Sequence, residues 1–173
     1  MNIYASAAKT YRPKEIKTIF IAESPPEEDE NGVKRYFYFP DDSRWEFLLD
    51  GIAGVVFPDM EYDIKKPEDK KRILEKLKEG GYFLVDACEF PINKLPEKEK
   101  TSHIQNNYKD LKERLKSLVK DDTQIVLIKK NIYDLLAEKL KADGFNVINE
   151  EFIDFPSNGN QGKFKKKMQK LKF

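Results

Sequence analysis

Four short apolar runs interrupt an otherwise polar chain, and their spacing predicts buried strands that alternate with helices. The runs cover residues 17–22, 82–87, 124–128 and 146–153, and they are rich in β-branched and aromatic residues. Between and after them, apolar residues recur at helical spacing. This predicts a helix through Trp45, Leu48, Leu49 and Ile52 that is capped by Asp42 or Ser43, and further helices over 67–79, 103–120, 132–142 and 163–171.

This alternation predicts an α/β fold: a three-layer α/β/α sandwich around a four-stranded, mostly parallel sheet. The chain has 173 residues and shows neither a repeat nor a linker, so we expect a single domain over 1–173. Residues 1–15 show no clear period and are expected to be a loose leader. Asn31-Gly32 predicts a turn in the long loop after the first strand.

The loops after the strands hold the unusual residues. Strand one runs into Glu23-Ser24-Pro25-Pro26, strand two into a loop with Cys88 and Pro91, strand three into Lys129-Lys130-Asn131, and strand four into Pro156-Ser157-Asn158. In an open α/β sheet, ligands bind beyond the carboxyl ends of the strands. These loops therefore predict one composite site.

Composition narrows the chemistry of that site. The formal net charge is only +1, although the last eleven residues carry six lysines, so no strong overall field favours nucleic acid or membrane. Cys88 and His103 are the only residues of their kinds, which argues against disulfides, cysteine-ligated clusters and histidine metal sites. With no signal peptide and no apolar run of spanning length, we expect a cytoplasmic protein.

Common catalytic motifs are missing from the sequence. It has no glycine-rich phosphate loop and no serine in a Gly-x-Ser-x-Gly elbow. A Cys88–His103 pair stays open as a nucleophile, against an inert buried thiol.

The order of the motifs resembles that of the uracil-DNA glycosylase superfamily. Ala22-Glu23-Ser24-Pro25-Pro26 stands where that family has a Gly-Glu-Ala-Pro-Gly motif, and it is followed by Glu28-Asp29, Gly32 and Tyr36-Phe37-Tyr38. Asp86 stands at the family's base-reading asparagine, and Phe155-Pro156-Ser157 at its His-Pro-Ser loop. The resemblance covers roughly residues 16–170 and implies the same fold and hydrolysis of an N-glycosidic bond in DNA.

Three departures bear on that activity. Pro26 replaces a glycine, Phe155 replaces the histidine that stabilises charge on the leaving base, and Asp86 replaces the asparagine. An ionised Asp86 can only accept hydrogen bonds. Asp86 therefore reads a base other than uracil, is protonated, or reads nothing.

The resemblance implies roles for individual residues. Glu23 is the candidate catalytic residue, which orients or activates the attacking water, and Asp86, Phe37 and Tyr38 are candidates for base binding. The candidate loop and phosphate contacts are Ser24, Pro25, Pro156, Ser157 and Asn158. Each has a purely structural alternative: a cap or ion pair for the carboxylates, core packing for the aromatic rings, and a plain turn for residues 156–158.

We expect a DNA-base glycosylase-like protein that acts on a damaged or deaminated base as a monomer, without cofactor, metal or membrane. Its partner is then DNA, or a nucleotide or nucleoside. Two alternatives stay open: an inactive descendant that binds a nucleotide or a protein, and a hydrolase of small nucleosides on the same scaffold.

Overall fold

Four parallel strands form the sheet, as the sequence predicts. The computed structural model describes residues 2–28, 30 and 35–172. The strands are β1 (Thr18–Ala22), β2 (Tyr82–Asp86), β3 (Gln124–Leu127) and β4 (Asn146–Val147), in the order β2-β1-β3-β4. The predicted turn at Asn31-Gly32, and Asp29 with it, lie outside the described residues.

Helices precede, connect and follow the strands. In chain order the described part of the chain contains α1 (Ile3–Thr10), α2 (Phe47–Val56), α3 (Pro67–Gly80), α4 (Glu97–Asn106), α5 (Tyr108–Lys116), α6 (Lys130–Ala142) and α7 (Gln161–Met168). No helix among the described residues is both long and apolar enough to cross a membrane.

The connections sort these helices into two layers. Helix α2 packs with α3 and α7, whereas α4 packs with α5 and α6. Because crossovers between parallel strands are right-handed, the two groups cover opposite faces of the sheet, in an α/β/α sandwich. The chain leaves β1 toward one edge of the sheet and β3 toward the other. The strand order therefore reverses between β1 and β3, where such sheets form their ligand crevice.

The sheet is the centre of the core. All five residues of β1 are buried, and Ile19 and Ile21 have no exposed surface. Strands buried on both faces read as continuous apolar runs, which explains why the sequence pattern located β1 to β3 to within a residue.

The amino-terminal segment is not a loose leader, and that prediction is wrong. Residues 3–10 form α1, which begins where the Asn2 side chain accepts a hydrogen bond from Tyr4 N. Tyr4 is its one buried residue, so the helix has too little apolar surface to show a period. The Tyr4 hydroxyl donates to the Pro26 carbonyl oxygen at 2.8 Å and ties α1 to the loop after β1.

Helix α2 starts later than predicted, and neither Asp42 nor Ser43 caps it. Glu46 takes that position, and its side chain accepts a hydrogen bond from Leu49 N. The Asp42 carboxylate instead pairs with Arg44 at 2.7 Å. Trp45 consequently precedes the helix and is 43% exposed.

In place of the single helix predicted over 103–120 there are two helices, of which the first begins earlier, at Glu97, and the second ends at Lys116. Helix α4 ends at Asn106, and α5 runs from Tyr108 to Lys116. The side chain of Asn107, between them, donates to the His103 carbonyl oxygen at 2.9 Å. Asparagine side chains compete in this way with the helical backbone, and this local bond marks the junction.

The fourth strand is also shorter than its apolar run. After Val147 the pairing of β3 passes to a side chain: Leu127 N donates to Asn149 Oδ1 at 2.9 Å, and Asn149 Nδ2 donates back to the Leu127 oxygen at 3.1 Å. A single bridge between Ile128 and Ile153 then resumes the pairing. A buried amide thus replaces a strand residue, which apolar periodicity cannot reveal.

Candidate functional site

The polar loops converge at the carboxyl edge of the sheet, as predicted. Ala22 pairs with Asp86 in the register of β1 and β2, so Glu23 lies one residue beyond the position of Asp86. Together with the ends of β3 and the 155–158 loop, they enclose a cleft of about 430 Å³. Six predicted site residues line it: Glu23, Ser24, Phe37, Asp86, Ser157 and Asn158.

Glu23 is buried and held by donors that follow β3. Its Oε2 accepts from Lys129 Nζ at 2.6 Å and from Asn131 Nδ2. Within the described residues Oε1 has no hydrogen-bond partner, although the side chain lines the cleft. The ion pair joins the ends of β1 and β3, where the strand order reverses. One carboxylate oxygen is therefore fixed, and the other is available to a ligand or a water molecule.

Lys129 has backbone dihedral angles that are unusual for any residue other than glycine. Its φ is 84° and its ψ is 141°, in a region that L-amino acids other than glycine rarely adopt. Its N–H donates to the Ile153 carbonyl oxygen at 2.8 Å, and its own carbonyl oxygen accepts from Tyr133 N. The strained turn points the ammonium group back to Glu23 instead of continuing the line of β3.

Asp86 is 8% exposed, and it lines both the cleft and a smaller cavity beside α1. The Tyr36 hydroxyl donates to its Oδ2 at 3.1 Å. Arg114 donates to the carbonyl oxygens of Asp86 and Ala87 at 3.0 and 3.1 Å. Burial raises the pKa of Asp86 to about 7, although Tyr36 and Arg114 favour its charged form. This carboxyl group therefore changes its charge near neutral pH.

Aromatic rings form much of the remaining wall. Phe37, Trp45, Phe47 and Phe155 all line the cleft. Such a wall around a few carboxylates and amides suits a flat, heteroaromatic ligand, because apolar rings supply contact area and the polar groups supply orientation.

Tyr38 does not lie in this cleft, and its predicted stacking role has no geometric support. Its ring is 3% exposed. Its hydroxyl accepts from Leu84 N at 2.7 Å and donates to the Leu84 oxygen at 3.1 Å. Since β2 is an edge strand, Tyr38 occupies hydrogen-bonding positions that a further strand would otherwise fill.

Two prolines predicted as site residues also lie elsewhere. Pro25 lines a second cavity, of about 320 Å³, between α1 and the outer part of β2. Pro156 is buried against α2, where a Cβ added at Gly51 would meet its ring at 3.1 Å. Ser157 and Asn158 line the cleft, and the turn that they begin leads into helix α7. The φ values in this turn are 52° at Asn158 and 82° at Gly159. Its backbone geometry is that of a plain turn, while its side chains face the cleft.

Cys88 has the properties of an inert thiol. It is fully buried, and burial raises its pKa to about 11, which opposes formation of the nucleophilic thiolate. The His103 ring instead makes an edge-to-face contact with Phe90. The described residues contain no group of three or more His, Cys, Asp or Glu side chains that could hold a metal.

Sequence reasoning overlooked several side chains of the site. Tyr36 lies within the aromatic run after β1, and Lys129 and Asn131 directly follow β3, but the sequence pattern predicts no role for any of the three. The only feature of the sequence that could have indicated a role for these residues was their position, directly after a strand or within a loop motif. Nothing in the sequence indicated that Lys129 and Asn131 would meet Glu23, more than one hundred residues away in the chain.

A composite cleft between β1 and β3, with two buried carboxyl groups and an aromatic wall, is thus the main candidate for a functional site. Comparison of the chain with protein-family models, curated proteins and solved structures finds no match.

Proposed function

We propose that this protein binds a nucleotide with its base in the composite cleft and hydrolyses the N-glycosidic bond, as a DNA-base glycosylase-like enzyme. The observation that carries the proposal is the meeting of Glu23 and Asp86 in one aromatic-walled cleft where the strand order reverses. The motif order that resembles the uracil-DNA glycosylase superfamily supports it, and so does the parallel α/β fold.

In this proposal the two carboxyl groups have different tasks. Asp86, held by Tyr36, forms hydrogen bonds to the edge of the base, and the partly exposed ring of Phe155 contacts its face. Phe37, which is 5% exposed, adds only the small part of its ring that reaches the cleft. Glu23 faces the sugar. As the bond from C1′ to the base nitrogen breaks, its electron pair leaves with the base and positive charge develops on the sugar. The negative charge of Glu23 stabilises that positive charge, and its free Oε1 orients the water that adds to C1′.

The hydrolysis balances without a cofactor. Water supplies the hydroxyl group at C1′, and its remaining proton leaves through Glu23 or solvent and neutralises the departing base. Lys129 and Asn131 keep Glu23 in place by fixing Oε2.

A second candidate is hydrolysis of a free nucleoside. The net charge of +1 favours it, because tight binding to duplex DNA draws on many phosphate contacts with lysine and arginine. Affinity for DNA that falls steeply with salt supports the first candidate. Cleavage of free nucleosides with little dependence on salt supports the second.

The direct test is to incubate the protein with oligonucleotides that carry uracil, hypoxanthine, xanthine or a mismatched thymine, both single-stranded and in duplex. Alkaline cleavage then reveals abasic sites, and free bases are measured by chromatography. We expect release of at least one base. Absence of release from every oligonucleotide and from the corresponding nucleosides would leave binding without hydrolysis and contradict the proposal.

Variants show whether the cleft is responsible. Glu23→Gln keeps the shape of the side chain but removes the charge, and we expect a loss of about 10²-fold or more in the rate of base release. Glu138→Gln is the matched control, since Glu138 on α6 has a side chain that is 92% exposed. Equal loss in both variants would show that Glu23 has no special role.

A further inference from the structure

Trp45 is the only tryptophan in the chain and lies on the wall of the composite cleft, with 43% of its surface exposed. Its ring centroid is 6.3 Å from that of Phe47, at an angle of 36°. The ammonium group of Lys65 lies 5.7 Å from the centroid of the indole. A large aromatic ring, still open to solvent and next to a cation, thus adjoins the candidate base-binding cleft.

The segment that carries Trp45 is held firmly. Lys70, which is 2% exposed, donates to the carbonyl oxygens of Asp42 and Arg44. Arg44 pairs with Asp42, and Glu46 caps α2 immediately after the tryptophan. Burying a lysine costs desolvation free energy. Here its hydrogen bonds fix the backbone on the amino-terminal side of Trp45. The ring is therefore presented in a preorganised position, and less entropy is lost when a ligand stacks on it.

The charge beside the ring is available to a ligand. Within the described part of the chain, the ammonium group of Lys65 forms no ion pair. Its side chain is exposed and flexible, so it can move from the indole to a phosphate. An aromatic face with an adjacent mobile cation is the combination by which proteins hold unpaired nucleic acid strands.

We propose that Trp45 and Lys65 bind the nucleotide next to the one in the cleft, and that the protein's partner is therefore single-stranded nucleic acid. The indole stacks on the neighbouring base and Lys65 contacts the phosphate. In a duplex that base is covered on both faces by its neighbours, so stacking requires an unpaired strand. The placement of the strand rests on the proposed function, whereas binding by Trp45 and Lys65 can be measured without any cleavage.

The single tryptophan makes the test specific to this residue. Intrinsic fluorescence is titrated with oligothymidylate of about eight nucleotides, with a blunt duplex of the same length, and with thymidine alone. We expect saturable quenching by the single strand, and weaker quenching by the duplex and by thymidine. Fluorescence unchanged by the single strand, or changed equally by thymidine, would overturn the proposal.

Variants are measured by the anisotropy of a labelled single strand. We expect Trp45→Ala to weaken binding by about fivefold to a hundredfold, and Trp45→Phe to retain much of the affinity. Phe90→Ala is the matched control, because Phe90 is 41% exposed but does not line the cleft, and we expect no change. Equal effects of Trp45→Ala and Phe90→Ala would overturn the proposal, with circular dichroism confirming that each variant folds.

The two proposals can fail separately. Loss of single-strand binding in Trp45→Ala, with no base released by the native protein, would support the surface and contradict the glycosylase activity. Base release from single-stranded DNA at the same rate in Trp45→Ala as in the native protein, with unchanged affinity for that strand, would support the activity and contradict the surface.

Discussion

At the scale of single residues, the proposed function makes Asp86 the group that recognises the base. Its pKa of about 7 means that both protonation states are populated near neutral pH. The protonated form offers a donor and an acceptor, as an amide does, and can match the N3–H and O4 of a uracil-type edge. The ionised form only accepts, and suits the N1–H and exocyclic amine of a guanine-type base. Base preference is therefore expected to depend on pH.

We expect the native protein to shift its preference from uracil-type toward guanine-type edges as the pH rises from about 6 to about 8. The Asp86→Asn variant has no titrating group here, so it should favour uracil at both pH values. Binding or cleavage of paired uracil and guanine-type substrates measures the ratio. If the native protein processes uracil at the higher pH as well as the Asn variant does, Asp86 does not read the base.

The Asp86 carboxyl group should also make stability depend on pH, and its raised pKa means that stability falls as the pH rises. The folded state holds the proton on Asp86 more tightly than the unfolded chain does. Ionisation of Asp86 therefore does not lower the free energy of unfolding below the ordinary pKa of about 4, and lowers it fully above about 7. The stability advantage of Asp86→Asn over the native protein should therefore grow across that interval, by a few kcal/mol at most. Urea denaturation at about pH 4 and pH 8 measures it. A constant difference would show that Asp86 titrates normally.

At the scale of elements, the junction between β3 and α6 stores backbone strain at Lys129. Glycine adopts a φ of 84° freely, whereas alanine does not. We expect Lys129→Gly to be more stable than Lys129→Ala by about 1–2 kcal/mol, the reverse of their order in a helix. Both variants remove the ion pair to Glu23, so thermal unfolding of the two isolates the backbone effect. Equal stabilities would show that the turn relaxes at no cost.

The edges of the sheet depend on side chains that act as strand partners. Tyr38→Phe removes the hydroxyl that satisfies both the N–H and the carbonyl of Leu84 on β2. We expect a loss of about 1–3 kcal/mol in the free energy of unfolding, because these backbone groups are left unpaired. Chemical denaturation measures the loss. Tyr133→Phe, which removes a single bond to the exposed Glu150 carbonyl oxygen, is the control and should cost less.

At the scale of the whole molecule, helix α1 joins the amino terminus to the candidate site. The Tyr4 ring lies 4.9 Å from that of Tyr36, in an edge-to-face arrangement, and Tyr36 in turn holds Asp86. We expect Tyr4→Ala to lower stability by about 2–4 kcal/mol, because it removes a buried ring and enlarges the cavity between α1 and β2 that Tyr4 lines. Ile3→Ala, at a position that is 47% exposed, should change it by less than about 0.5 kcal/mol. Similar small effects would show that α1 is only loosely attached.

The amino-acid pattern by itself determined the strands that are buried on both faces and the helices with a continuous apolar stripe. The strands β1, β2 and β3 are continuous apolar runs, and α3 shows a clear stripe that ends at Gly81, where φ is 86°. The alternation of strands and helices indicated a parallel sheet. Because parallel strands end at the same edge, that edge could be predicted to hold Glu23, Asp86 and the 157–158 turn. These features depend on local burial, which leaves a period in the sequence.

Only the tertiary structure decided the features that depend on long-range pairing of polar groups. Glu23 meets Lys129, Tyr38 satisfies the edge of β2, and Asn149 replaces a residue of β4 through single hydrogen bonds between distant segments. Such bonds leave no period, since each involves one side chain whose partner the fold brings near. Helix α1 was missed for the same reason, because its attachment depends on Tyr4 and a distant carbonyl oxygen and not on an apolar stripe.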